Sequence, residues 1–505
     1  MSKRAIPDIF FCLLVGWFLL CATQSEAAWI ESLGQGSRAT AMGNAYIGVA
    51  DDLSAVWYNP AGLTQLIGGK KTTQMVGSSF NTLGITVDEP VSSPTTYGAH
   101  YSARLPSNIP FLRTSVGFQL ADWCYLAPLP TLITFAGYSE FSETKGDIRF
   151  NGYVVSTLNM DWIPSIAFKL HDRISAGFGL NVNMFNQFKQ QNILGDGYLL
   201  GAASELLPDT TPEQIIAALG PLGFKDGYDD GKLLVRTDEE FPTGIKPVND
   251  LDINFRDVGF NVGILTRPFD WFRIGVKYRS ENRIHVEGDI SLVVNPYDPL
   301  VQLLKNTPLA VADDTKRFDL VFVTPQQVGF GIAFQPIKRL LWSVDYTWTD
   351  WHHARKSDDL FVRGGGLGPT HVEKFIVPRH WKSVHSVRTG LELRLAPQLF
   401  VQGGFWYDPS PCPDEQWDMA SGLNDYFIYS VGAGYKGAFN GLLDINTHLQ
   451  YLTTNTRRID VGEGKHLGGT KSYGDPLLGG VPNNDFSVEV DGQVVSWGLD
   501  FTFHF

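Results

Sequence analysis

The last eleven residues, Val495 to Phe505, alternate without a fault: Val495, Trp497, Leu499, Phe501, Phe503 and Phe505 fall on one side of a strand, Ser496, Gly498, Asp500, Thr502 and His504 on the other. Side chains in a strand point to opposite faces in turn, so this segment has one oily and one polar face. A strand of an outer-membrane barrel needs that division between lipid and lumen. An edge strand of a soluble sandwich could also alternate, but so heavy an aromatic run on an open edge would invite aggregation in water.

The N-terminus points to the same compartment. Lys3 and Arg4 precede an apolar run from Ile9 to Ala22, and Ser25-Glu26-Ala27 places small residues where a signal peptidase reads. We therefore expect residues 1–27 to be a signal peptide cleaved after Ala27. The run is too short and too early for a stable transmembrane helix. Cys21 invites a lipoprotein reading, but the Leu20 before it is bulkier than lipidation sites take.

Composition removes other classes. With 40 basic against 53 acidic residues the chain carries a formal charge of −13, which argues against nucleic acid as a partner. Cys12 and Cys21 would leave with the signal, so Cys124 and Cys412 could form one disulfide at most, and no zinc spacing exists. The chain has 52 glycines and 33 phenylalanines, yet its mean hydropathy is near zero. An oily exterior averaged with a polar lumen gives that balance.

Period-two alternation marks about fourteen strands, roughly 70–86, 94–105, 111–126, 148–170, 173–189, 251–267, 271–290, 317–335, 338–350, 375–395, 398–408, 424–436, 440–457 and 485–505. Tight turns at 171–173, 267–270, 335–338 and 396–398 alternate with long connections at 190–250, 291–316, 351–374, 409–423 and 458–484. A barrel with short turns at one rim and long loops at the other sorts its connections this way. The expected fold is all-β, a 14-stranded antiparallel transmembrane β-barrel over residues 69–505.

Residues 28–68 break the pattern. They are rich in Gly and small residues, with brief helical stretches around 38–42 and 52–58 and a break at Asn59-Pro60. A free tail would expose Leu53, Val56, Trp57, Tyr58 and Leu63, so we expect a compact hatch in the lumen, which side chains alone cannot fill in a barrel this wide.

Gly43-Asn-Ala-Tyr-Ile-Gly48, Ala50-Asp-Asp52 and Asn59-Pro-Ala-Gly62 resemble the N-terminal hatch of the FadL/TodX family of outer-membrane channels. The likeness continues through Lys277-Tyr-Arg-Ser280, Thr324-Pro-Gln-Gln-Val-Gly-Phe-Gly331, Tyr346-Thr-Trp-Thr-Asp-Trp351, Trp381-Lys382 and Tyr407-Asp-Pro-Ser-Pro411. The resemblance implies a monomeric outer-membrane channel without cofactor that takes up long-chain fatty acids or similar hydrophobic molecules. Extracellular loops capture the molecule, the hatch (Asn59, Pro60, Ala61, Gly62) rearranges, and an inward kink in the third strand lets the cargo out sideways. A lateral exit keeps an apolar surface out of water.

The family's placement of basic residues points to Lys189 at the end of the fifth strand, and to Lys374, Arg379 and Lys382 before and within the tenth, as head-group ligands, with Lys189 and Arg379 as the leading pair. The rival reading makes them rim charges on lipopolysaccharide phosphates. Thr211-Pro-Glu-Gln-Ile-Ile-Ala-Ala-Leu219 has the start signals of a short helix and would offer Ile215, Ile216 and Leu219 to an apolar cargo. Gly117 is the candidate for the kink. Uncharged aromatic hydrocarbons are the alternative cargo.

Other signals are weaker. Gly432-Ala-Gly-Tyr-Lys-Gly437 matches a dinucleotide pattern but ends a strand instead of opening a helix. His352 and His353, adjacent at a strand end, would point opposite ways, so no metal is expected. Without a nucleophile elbow or H-E-x-x-H motif, an enzyme is not expected, although a Ser and His meeting between strands would make a lipid hydrolase. Lumenal Asp345, Arg388, Glu392, Arg394, Asp444 and Asp500 are expected to pair across strands and hold the hatch.

Overall fold

The computed structural model describes residues 34–88, 99–104, 109–129, 131–145, 148–194, 233–237, 258–294, 314–354, 356–363, 374–414, 424–461 and 486–505. Strands pair antiparallel with the next in order until the last returns to the first: Thr73 to Asp88 lie opposite His504 to Glu489. This seam closes the cylinder and leaves no sheet edge, the condition for crossing a bilayer with strands.

The wall has fourteen positions. They are β1 (Thr72–Asp88), β2 (Ala99–Arg104 continued by Ile109–Ala121), β3 (Cys124–Ala127 and Thr131–Lys145), β4 (Ile148–Trp162 and Ser165–His171) and β5 (Ile174–Leu194). Then come β6 (Leu233–Thr237 and Val258–Phe269), β7 (Phe272–Arg279 and Asn282–Val294), β8 (Asp314–Thr324 and Gln327–Ile337), β9 (Leu340–Thr349 and Ser357–Arg363) and β10 (Lys374–Pro378 and Val384–Arg394). Last are β11 (Leu399–Asp408), β12 (Tyr426–Gly437), β13 (Leu443–Thr454 and Arg457–Val461) and β14 (Phe486–His504).

The expected number is right through two compensating differences. The segments 94–105 and 111–126 belong mostly to one wall position, β2, while 131–145 of β3 has no counterpart among the expected strands. Two register shifts against β4, at Ala136/Tyr138 and Glu143/Thr144, disturb the alternation there. The C-terminal strand behaves as its pattern dictates: Trp497 and Val495 are exposed on the outside while Ser496, Asp500 and Thr502 are buried.

Residues 34–71 cross the lumen. They form α1 (Ser37–Ala41), α2 (Ala55–Tyr58) and a 3-10 turn (Pro60–Leu66), near the helical stretches read from the sequence. Proline at the first position of the 3-10 turn costs no donor the turn would use. α1 packs on β11 to β14 and the 3-10 turn on β3 to β6, so the short segment reaches opposite arcs of one ring. Wall glycines allow that approach: a Cβ at Gly404 would fall 2.0 Å from Gly43 N, and one at Gly275 2.2 Å from Ile47 O. Ala39, Ala41, Met42, Ala45, Tyr46 and Ile47 have no exposed surface.

Candidate functional site

One side of the lumenal segment is oily. Leu53, Val56 and Leu63 pack with Met75 of β1, Tyr125 and Ala127 of β3 and Ala167 of β4 in one buried cluster. The wall beside this cluster is broken. On β2, Thr114 lies opposite Thr131 and Phe118 opposite Leu126, so Ser115, Val116 and Gly117 face the interval between the two halves of β3. The sequence of that interval is Pro128-Leu129-Pro130, and proline cannot donate to a ladder. On the other flank β4 is itself interrupted at Ile163-Pro164. Trp162 Nε1 donates to Pro128 O at 2.8 Å and fixes one lip.

Gly117 thus belongs to the second wall position, not the third, and stands in unbroken register opposite Thr73. The interruption lies on the neighbouring strand, β3, between Ala127 and Thr131. What Gly117 supplies is room: a Cβ would come within 2.7 Å of the Tyr125 ring and 2.8 Å of Leu53 Cδ2.

The opposite side adds charged and polar bonds to a second apolar cluster, in which Ala39, Met42, Tyr46, Val49 and Tyr58 pack with Ala333 of β8 and Leu341 of β9. Arg38, buried in α1, meets Glu392 of β10 through two bonds, Nε to Oε2 at 2.6 Å and Nη2 to Oε1 at 2.9 Å, and donates to Tyr46 Oη at 2.6 Å and to Asp51. Two parallel bonds between a guanidinium and a carboxylate fix orientation as well as distance. Arg113 of β2 reaches Asp500 of β14 at 3.1 Å and Gly34 O at 2.9 Å, and Asp500 also accepts from Ser37 N. Asp345 of β9 accepts from Ile47 N at 2.7 Å. Burial opposes the charge on Asp51, but Arg38, with Lys436 and Arg273 beyond, outweighs it and holds the carboxyl well below the usual carboxylate range. Burial, only partly offset by Arg38, raises its neighbour Asp52.

The Asn-Pro-Ala-Gly motif joins the two sides. Asn59 Nδ2 donates to Ile47 O at 3.0 Å and to Ile264 O of β6 at 3.1 Å, while its Oδ1 accepts from Ala61 N at 3.2 Å and caps the 3-10 turn. Pro60 and Ala61 lie against Gly177 of β5, and Gly62 against Ala50, so each position is set by a backbone approach.

The basic residues expected at the mouth are dispersed. Lys189 stands on β5 opposite Ser156, and Lys374 on β10 opposite Phe361. Arg379 and Lys382 lie in the interruption of β10, where Arg379 N bonds Lys356 O at 2.8 Å and Lys382 N bonds Pro411 O at 2.8 Å. Lys189 and Arg379 are fifteen residues from the turn-side ends of their strands, Ile174 and Arg394, but five wall positions apart. Any shared ligand therefore spans the lumen. Ile215, Ile216 and Leu219 lie outside the described residues.

Three lumenal acids named from the sequence, Asp345, Glu392 and Asp500, do bond the segment, whereas Asp444 bonds His504 at 3.1 Å near the turn rim. His352 and His353 do not end a strand; they lie in a helical turn, Trp351–Ala354, with His353 Nδ1 2.8 Å from Asp350. Cys124 and Cys412 form no disulfide with each other. Arg38 had no sequence signal of its own, because its partner stands 354 residues away.

The profile of a family described as outer membrane protein transport protein (OMPP1/FadL/TodX) matches residues 18–505. Among solved structures, this chain is similar to a FadL homologue of Pseudomonas aeruginosa at 17% identity and a TM-score of 0.59, covering 96% of this chain and 99% of that one. The Pseudomonas putida toluene transporter TodX is 12% identical with a TM-score of 0.61 over 94% and 99% of the two chains. The Ralstonia pickettii toluene transporter TbuX is 14% identical with a TM-score of 0.55 over 94% and 100%. No curated protein sequence matches the chain. At these identities the structural likeness speaks for the fold alone.

Proposed function

The chain belongs to the outer-membrane transport family of FadL and TodX, whose members carry hydrophobic compounds, and from that premise we propose that it takes up long-chain fatty acids, with lateral exit at the break in β3. The observation that carries this reading is the position of that break. It adjoins the buried apolar cluster of Leu53, Val56, Leu63 and Tyr125, so a cargo leaving there moves from oily protein surface to lipid. Burying apolar area stabilises by about 25 cal/mol per Å², and a long acyl chain crossing water would forfeit that over its whole length.

Residues 28–68 act in this proposal as the hatch, with residues 1–27 removed as a signal peptide. Straight passage is blocked, since the centre of the segment is buried and bonded to the wall. A cation on one side of the lumen receives the carboxylate at the loop side, Lys189 on β5 or Arg379 with Lys374 and Lys382 on β10, because a buried carboxylate without a partner is costly.

Mass spectrometry of the lipid that co-purifies tests the cargo: bound fatty acid is the expected result, and a chain that retains toluene but no fatty acid from a mixture of both supports the aromatic alternative. Replacing Lys189 and Arg379 by Gln and Gln should weaken fatty acid binding about ten-fold or more, since a charged hydrogen bond contributes about 1.5–3 kcal/mol. Unchanged binding would remove the pair from the head-group role. Purified protein in detergent should bind such ligands without hydrolysing their esters.

A further inference from the structure

The turn-side rim of the barrel is cationic although the chain as a whole carries −13. Lys70-Lys71 precede β1, Arg173 stands between β4 and β5, Arg267 between β6 and β7, Lys338-Arg339 between β8 and β9, and Arg394 ends β10. All are exposed. Lys70, Lys71, Lys338 and Arg339 have no side-chain partner among the described residues, so their charge is not consumed within the fold.

Beside these cations stand exposed apolar anchors. Phe269 and Trp271 flank Asp270, Ile337 precedes Lys338, and Leu395 follows Arg394, each about half exposed or more. Aromatic and aliphatic side chains at this height lie at the lipid boundary, which puts the neighbouring cations at the level of lipid phosphates.

From this repeated pairing of anchor and cation we infer that the turn-side rim binds the phosphate head groups of anionic phospholipids in the adjacent leaflet. The basic residues supply charge complementarity and the apolar neighbours fix their depth in the bilayer. Two turns of the ring carry no exposed cation: that between β12 and β13, Ala438–Gly441, where Lys436 lies over the Phe400 ring, and that between β2 and β3. The turn between β2 and β3, Asp122-Trp123, carries an acid and no cation. It lies about 17 Å along the strand from the break in β3, by the rise of five strand residues. If lateral exit holds, as proposed above, cargo emerges over an arc whose turn offers an acid and no cation to lipid phosphates, and exchange with the bilayer is less obstructed there.

The test does not require transport. The full-length protein is placed in nanodiscs of phosphatidylglycerol and phosphatidylcholine at equal mole fraction, and the lipids retained after transfer to detergent are counted by native mass spectrometry. Phosphatidylglycerol should be retained in excess, and the excess should shrink as salt rises. The pairs Lys70→Gln/Lys71→Gln and Lys338→Gln/Arg339→Gln, made separately, should each reduce it, at about five-fold in affinity for each cation removed. Asp122→Asn should leave it unchanged or raise it. Equal retention of the two lipids by the unmodified protein, or full retention by both paired variants, would overturn the inference, while loss of fatty acid uptake alone would bear only on lateral exit.

Discussion

The two sides of the lumenal segment are held by different physics. Toward β1, β3 and β4 the contact is a patch of Leu53, Val56 and Leu63 on Met75, Tyr125 and Ala167. Toward β10 and β14 it is a set of directed bonds, Arg38 to Glu392 and Ser37 to Asp500. Apolar contact is non-directional and tolerates sliding, whereas a buried bidentate ion pair has one geometry and resists displacement. The segment is therefore expected to pivot on its polar side and yield on its oily side, which is the side beside the wall break.

Substitutions can break this contrast, starting with the polar anchor. Glu392→Ala removes the bidentate partner of the buried Arg38 guanidinium, leaving it Asp51, and should cost about 3 kcal/mol or more of segment docking, read as earlier protease cleavage within 34–71 in a urea series. Replacing both partners, Arg38→Met with Glu392→Leu, should restore only part of the loss, because Asp51 then loses Arg38 and keeps Arg273 at 3.8 Å. Leu53→Ala should cost about 3 kcal/mol by the cavity it leaves, and it should increase cargo leakage because the loss falls at the break. Gly117→Val crowds Tyr125 and Leu53 and should cost about 2 kcal/mol while slowing uptake with loop-side binding intact. Normal uptake by that variant would argue against the lateral route.

The smallest effect is expected on the polar side itself. His448 and Gln450 of β13 are buried and their side-chain nitrogens and the Gln450 oxygen lack hydrogen-bond partners among the described residues. Gln450→Leu removes two unpaired atoms at similar volume and should change stability by less than about 0.5 kcal/mol, or increase it. A large loss would mean that these atoms are paired in the working protein and that the polar anchor extends to β13.

Much of the wall was legible in the sequence, and for a definite reason. A strand between lipid and lumen must alternate locally, so Val495 to Phe505 announce both faces within eleven residues. The broken strand was not, since Pro128 and Pro130 and the irregular pairing after Ala136 remove that alternation where the proposed exit lies. Asn59-Pro60-Ala61-Gly62 was legible through its resemblance to the family's hatch, and the cap at Asn59 and the close backbone approaches give the physical reason for those residue types. The anchors were not. Glu392 differs in no local respect from other lumenal acids, and only closure of the barrel brings it to Arg38. Gly117 was found for its missing side chain but placed on the wrong strand, because the alternation read from the sequence stops at 105 and resumes at 111, dividing β2 into two apparent strands.

The direct test of lateral exit is photocrosslinking with a long-chain fatty acid carrying a diazirine at its tail, applied to the protein in bilayers and mapped by peptide mass spectrometry. Labels are expected on Val116 and Leu129, the two lips of the break. Labels instead on the turn-side face of the segment, around Gly68 and Gly69, with none at the break, would show that cargo passes along the barrel axis and would contradict the account.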